Sequence, residues 1–273
     1  MKVKLIYTNI DDEEKCIEFP EDVETIKLSG NDIVEIDLAP LRSCSFLREV
    51  SLDRNLLKTI DLTPLSSCAA LELLDLERNL LNKIDLTPLQ SCTNLQALLL
   101  WRNRLQNIDL TPLSSCTGLR RLLLKENRFQ TIDLTSLNSC TNLTLLILSE
   151  NRLRSIDLTP LSSCTALQYL SLRENQIQSI DLAPLSACSA LQRLDLGDNL
   201  LESIDLTPLR FCTDLEAIRI DTNQLQTIDL TPLSSCTALQ AIYLEGNRIK
   251  SVDLSPLPAD VLVRISRDYE TTT

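Results

Sequence analysis

Leucine and isoleucine fall along this chain in a fixed rhythm. Counted from Leu95, apolar residues stand at Leu98, Leu100, Leu105, Ile108, Leu110 and Leu113, then Cys116, and the pattern restarts at Leu119. The spacing is 24 residues, and Asn31, Asn55, Asn79, Asn103, Asn127, Asn151, Asn175, Asn199, Asn223 and Asn247 hold it through ten units in unbroken phase. A period of roughly 20 to 50 residues predicts a solenoid in which each unit buries its apolar face against the next. Within one unit Leu95, Leu98, Leu100 and Leu105 are expected to point inward from a short strand and the turn after it. Asn103 should close that turn by bonding backbone groups that no strand satisfies. Ile108, Asp109 and Leu110 read as in, out, in on the return side. Thr111 reads as a helix N-cap with Pro112 at the first helical position. Only about six residues remain for that helix, so the outer side should carry single turns.

The ends break the pattern. Residues 2–7 and 15–19 have strand character on either side of the acidic turn Asp11 to Glu14, which predicts an antiparallel hairpin capping the first rung. Val23, Ile26 and Leu28 take the inward phases of the first repeat strand, and Cys16 reads as a small hydrophobe within the cap. At the far end Asp260 replaces the repeated cysteine, and Pro256 and Pro258 bracket a turn before Val261 to Ser266. An edge strand is expected there, shielded by Arg264, Arg267 and Asp268, with Thr271 to Thr273 disordered. The organisation is therefore a hairpin cap over residues 1–22, ten repeats over 23–257, and a capping strand and tail over 258–273.

Written out, the unit is LxxLxLxxNxLxxIDLTPLxxCxx, and its LxxLxLxxNxL half resembles the leucine-rich repeat family across roughly residues 23 to 257. The IDLTPL segment is similar to repeats of the bacterial internalin and phosphatase-regulatory types. What the resemblance implies is an α/β repeat solenoid, a right-handed leucine-rich repeat horseshoe with a parallel concave sheet and short convex helical turns. It departs from the usual twenty-two-residue versions of those types in its cysteine column and in two extra residues per unit. Internalins are secreted, whereas the opening MKVKLIYTNI lacks the apolar run of a secretory signal.

Charge and composition narrow the function classes. A formal net charge of −12 disfavours a nucleic-acid backbone or an anionic membrane surface, leaving a protein or peptide as the expected partner. With no histidine in the chain, the commonest general base and the usual triads are absent, and no enzyme, cofactor or metal is expected. Nine of the ten cysteines (Cys44, Cys68, Cys92, Cys116, Cys140, Cys164, Cys188, Cys212 and Cys236) share one repeat phase. Stacked rungs about 4.8 Å apart do not bring Cβ atoms to the ~3.8 Å of a disulfide, so these should be buried, reduced thiols in a cytoplasmic protein.

Three charged patterns are candidates for chemistry. Asp53, Asp75 and Glu77 would share the concave side as a solvated acidic patch rather than a catalytic pair. Asp37, Asp61, Asp85, Asp109, Asp133, Asp157, Asp181, Asp205, Asp229 and Asp253 form a column of like charges. Backbone amides at the start of each convex turn are the expected source of relief, with a cation column as the sharper alternative. Arg54, Arg78 and Arg102 share a phase continued by Glu126, Glu150 and Glu174, beside Arg104, Arg128 and Arg152. Ion pairs between rungs are expected there in preference to a phosphate site.

Function should lie where the repeats stop matching. Three strand phases vary freely, and they place Leu73, Leu99, Leu123, Leu145 and Ile147 together with Trp101 and Tyr169 on the concave face. Arg121, Lys125 and Arg173 border this apolar centre. These ten residues are the expected partner-binding site of a non-catalytic protein-interaction module, with Trp101 as anchor. The alternative is a structural or idealised scaffold without a dedicated ligand, self-associating as a homodimer through the same face.

Overall fold

The structure, a computed structural model, describes residues 2–265 and 270–272. It contains two compact units, one running to Phe129 with Ser139–Asn142, the other comprising Gln130–Asn138 and everything from Leu143 onward. Both are built the same way, and the α/β repeat class expected from the sequence holds in each.

In the first unit β1 (Lys2–Asn9) and β2 (Glu14–Pro20) form the expected antiparallel hairpin. Asn9 shapes its turn, its Oδ1 accepting the backbone N–H groups of Asp11 and Glu13. β3 (Thr25–Lys27) opens the parallel ladder, and β4 (Ile33–Asp37) pairs antiparallel with β1. The cap thus grows from the return side of the first repeat and not from its ladder strand. Cys16 is exposed on β2 and not packed within the cap, because the face of β1 that is buried carries Val3, Leu5 and Tyr7. The ladder continues in register through β5 (Glu49–Ser51), β6 (Leu73–Asp75), β7 (Ala97–Leu99) and β8 (Arg121–Leu123).

The second unit carries β9 (Leu145–Ile147), β10 (Tyr169–Ser171), β11 (Arg193–Asp195), β12 (Ala217–Arg219) and β13 (Ala241–Tyr243), again parallel and offset by one repeat. On the return side β14 (Ser251–Asp253) is followed by β15 (Leu262–Arg264), which pairs with β13 and is the expected C-terminal edge strand. β16 (Glu270–Thr272) pairs with β14. This corrects the expectation of a disordered tail at Thr271 and Thr272, since the return strand leaves backbone groups free to take up a further strand. Arg267, Asp268 and Thr273, placed in the same tail from the sequence, lie outside the described residues.

Three columns hold each unit together. Leu95, Leu98, Leu100 and Leu105 are fully buried, and the equivalent positions of the other repeats are buried too, whereas Ile108 is only half-buried. The asparagines form the second column. Asn127 accepts the Leu105 N–H through Oδ1 and donates through Nδ2 to the carbonyls of Leu100, Leu124 and Lys125. The thiols form the third. The cysteines of this column are buried and free, and the Cys92 Sγ–H donates to the Leu65 carbonyl of the preceding turn. Burial pushes Cys92 and Cys212 up to about 12, and Cys68, Cys116, Cys140, Cys188 and Cys236 up to about 11. A thiol that stays protonated is neither nucleophile nor metal ligand at neutral pH.

The outer turns are 3₁₀ helices of five residues, such as Thr63–Ser67 and Thr111–Ser115. Thr111 is not their N-cap. That position falls to Leu110 and carries no side-chain bond; Thr111 is the first residue of the turn and Pro112 the second. The cap is supplied one residue earlier, where the Asp109 Oδ1 accepts the Thr111 N–H at 2.9 Å. All ten aspartates of the column do the same, from Asp37 with Ala39 to Asp253 with Ser255. The amides do offset the like-charge column, as expected. The threonine hydroxyl two residues on, and then its N–H, hold Asp61, Asp85, Asp133, Asp157, Asp205 and Asp229 below the usual carboxylate range.

A further column went unread in the sequence. The residue just before each conserved asparagine adopts positive φ: Gly30, Arg54, Arg78, Arg102, Glu126, Glu150, Glu174, Asp198, Thr222 and Gly246, with values from 51° to 71°. The left-handed conformation turns the chain out of each strand, and glycine bears it without strain. Thr222, β-branched and at φ 52°, bears it worst. Thr222→Gly should raise stability by about 0.5–1 kcal/mol, the relief of strain less the larger backbone entropy of glycine. Urea unfolding checks this; a loss of stability would mean the threonine side chain contributes more than its strain costs.

Candidate functional site

In the ladder strands β3 and β5 to β13 the middle residue of three is buried in the core, and its two neighbours point to the opposite, open face, where some of them are covered by side chains of adjacent rungs. The pleat requires this alternation. Leu98 and Leu122 are buried, whereas Leu99 and Leu123, one residue later, pair side by side on the open face. Of the ten residues expected at the binding site, the first unit places six there: Leu73, Leu99, Trp101, Leu123 and Lys125 half-buried, and Arg121 exposed. In the second unit Leu145, Ile147, Tyr169 and Arg173 are half-buried on the same kind of face, with Tyr169 paired to Leu145. The leucines are therefore flanked by neighbours one rung away, and less open than a sequence count suggests.

Trp101 is held from two sides. Its indole N–H donates to the Glu77 carboxylate, and the Arg78 guanidinium lies over its ring at 4.7 Å from the centroid. An aromatic fixed in this way presents one remaining face at little entropic cost. It is preorganised rather than free.

Arg173 does not border an apolar centre. In the second unit it sits in a ring of acids, bonded to Asp221 at 3.0 and 3.3 Å, ion-paired with Asp198, and within 3.7–3.8 Å of Glu174 and Asp195. Gly197 makes this ring sterically feasible, because a Cβ there would collide with the Arg173 guanidinium and lie 2.9 Å from Asp221. Sequence reasoning missed the clamp. Its signal was present in one phase, where Arg173 and Asp221 stand two rungs apart on either side of Gly197. Tyr243, also on the second unit's face, is stacked by Arg219 at 4.2 Å.

The acidic group of the first unit is anchored as well. Ser29 donates its hydroxyl to Asp53, Glu77 accepts from Trp101, and the Asp75 Oδ1 accepts the Glu77 N–H at 3.0 Å. Burial, and then the neighbouring charges of Glu77, Asp53 and Glu49, push Asp75 up to about 6. The folded form therefore holds its proton more tightly than the unfolded chain does. Stability falls as pH rises from about 4 to 6 and stays lowered above that. Asp75→Asn keeps an oxygen for the Glu77 N–H and removes this penalty. Expected is a gain of about 1–2 kcal/mol at pH 7, discounted for solvent screening of a half-exposed group, and no gain near pH 3. Unfolding midpoints of both proteins across that range decide it, and an equal gain at both ends would remove titration as the cause.

The basic columns carry the expected ion pair between rungs where an arginine precedes a glutamate, Arg102 with Glu126 at 3.5 Å. Arg78 turns to Trp101 instead, and Arg54 to its own neighbour Asp53 at 3.7 Å. No helix among the described residues is long and apolar enough to cross a membrane.

The model of the leucine rich repeat family matches residues 93–153, 141–201 and 189–249, more than half of the chain. The chain belongs to the leucine-rich repeat family. Solved leucine-rich repeat structures resemble it over most of its length. The functional domain of InlJ from Listeria monocytogenes, which includes a cysteine ladder, is 22% identical over 94% of this chain, with a TM-score of 0.67. This chain spans 57% of that domain. The internalin InlF of the same organism is 23% identical over 92% of this chain and 86% of its own, with a TM-score of 0.59. Its internalin C2 is 32% identical over 66% of this chain and 74% of its own, with a TM-score of 0.54. No curated protein matches this leucine-rich repeat chain in sequence.

Proposed function

We propose that this leucine-rich repeat protein is a non-catalytic module that binds a protein or peptide on the open face of its strands. In the first unit Leu73, Leu99 and Leu123 form the apolar part, Trp101 is the anchor, and Arg121 and Lys125 supply the basic border. In the second unit Leu145, Ile147 and Tyr169 offer a smaller apolar row. The observation that carries the reading is the side-by-side pairing of Leu99 with Leu123 on a face away from the core, beside a tryptophan already fixed in orientation. Apolar side chains at outward strand positions contribute little to a core; covered by a partner, they contribute affinity. The partner should present an apolar anchor flanked by acids.

The setting proposed is cytoplasmic, supported by ten free thiols of which Cys16 is exposed; fractionation of cells expressing the tagged chain tests it. For the binding face, Leu123→Glu is expected to fold with an unchanged circular dichroism spectrum and to lose the proteins captured by the wild-type chain. Sedimentation of the pure chain separates the case in which the occupant is a second copy, where Leu123→Glu converts dimer to monomer. If the variant folds and keeps its partners at full affinity, the site lies elsewhere.

A further inference from the structure

A second surface of the first unit lies off the open face, along the turns that carry the conserved asparagines. A groove there is lined by Leu56, Leu80, Arg78, Arg102, Arg104 and Arg128, with Glu126 between the last pairs of arginines. In a chain of net charge −12, the guanidinium groups of Arg102, Arg104 and Arg128 on one groove are a local reversal of sign. Glu126 does not cancel them, since it is shared between Arg102 at 3.5 Å and Lys125 at 3.8 Å. Among the described residues Arg104 and Arg128 are exposed and enter no ion pair. Arg78 is fixed over Trp101, so its charge is turned to the open face and not to this groove.

We propose that this groove binds the phosphate of a phosphorylated peptide side chain. All of its basic residues are arginine, whose planar fork of donors grips a tetrahedral dianion at two oxygens where lysine would offer a point charge. Rungs about 4.8 Å apart bring Arg104 and Arg128 close enough to share one phosphate. Leu56 and Leu80, half-buried at the other end of the groove, give an apolar residue next to the phosphorylated one somewhere to lie, which a free phosphate cannot use.

The arginine Nε–Hε signals of the full chain in a nitrogen–proton correlation spectrum provide the readout, at physiological salt. The probes are acetyl-leucyl-phosphoserine amide, its unphosphorylated twin and inorganic phosphate. Expected is a saturable shift of the Arg104 and Arg128 signals with the phosphopeptide, weaker binding of inorganic phosphate, and none of the twin. Arg104→Lys, which keeps the charge, should weaken the phosphopeptide roughly tenfold. Glu126→Gln should tighten it, because Arg102 is released. Arg193→Lys on the second unit should change nothing. The proposal is overturned if no signal saturates at millimolar peptide, if inorganic phosphate binds as well as the peptide, or if Glu126→Gln weakens binding. It is equally overturned if heparin displaces all arginine signals alike, which would mark a general polyanion surface.

Discussion

Asn127→Ala should cost about 3–5 kcal/mol. Asn127 is only 7% exposed. Removing its amide leaves the Leu105 N–H buried without an acceptor and withdraws a donor from the carbonyls of Leu100, Leu124 and Lys125. Each buried group orphaned in this way costs about 1–3 kcal/mol, and the Leu100 carbonyl is partly spared because Asn103 also donates to it. Asn127→Asp serves as a control on the mechanism. It retains the oxygen that the Leu105 N–H needs but turns a second oxygen toward the carbonyls, so it should be nearly as damaging at pH 7 and recover in part as its carboxyl gains a proton. Urea denaturation at two pH values measures both. A loss below 1 kcal/mol for Asn127→Ala would mean that water takes over the amide's bonds.

The second large effect separates two leucines that are neighbours in sequence. Leu98 is fully buried between Leu74 and Leu122, its ladder partners on either side. Truncation to alanine should leave a cavity and cost about 3–4 kcal/mol. Leu99, on the open face and only half-buried, should cost no more than about 1 kcal/mol when truncated in the same way. Comparable losses at both positions would mean that the strand phase underlying every assignment on the open face is mistaken.

The fold was legible because the repeat writes each constraint ten times. Apolar spacing gave the buried leucines, one asparagine per unit gave the turn, and a cysteine column without disulfide geometry gave inert thiols. What the sequence hid is local geometry in which a residue type does not declare its backbone. Arginine, glutamate, aspartate and threonine all occupy the left-handed position before the asparagine, and only Gly30 and Gly246 at the two ends of that column mark it. The cap of each outer turn was misread for a related reason. Threonine before proline is a familiar start, but the aspartate two residues before that threonine accepts the turn's first amide. At the termini the periodicity stops, so the pairing of β4 with β1 and of β14 with β16 left no trace in the pattern.

The candidate site was legible as positions and not as contacts. That Leu99 and Leu123 point away from the core follows from the two-residue alternation of a strand. That Arg173 is consumed by four acids does not, because Asp221 lies 48 residues on and acts across a glycine. The same holds for Trp101, whose orientation depends on Glu77 and Arg78 one rung before it.

Photo-crosslinking tests the binding face most directly. A photoreactive phenylalanine is placed at position 123, on the open face, or at the exposed position 117, just past the 3₁₀ turn Thr111–Ser115 of the same unit. Both chains are irradiated in cells that express them. The account predicts a discrete higher-mass adduct from position 123 and none from position 117. An adduct from position 117 alone, or from neither, would contradict it.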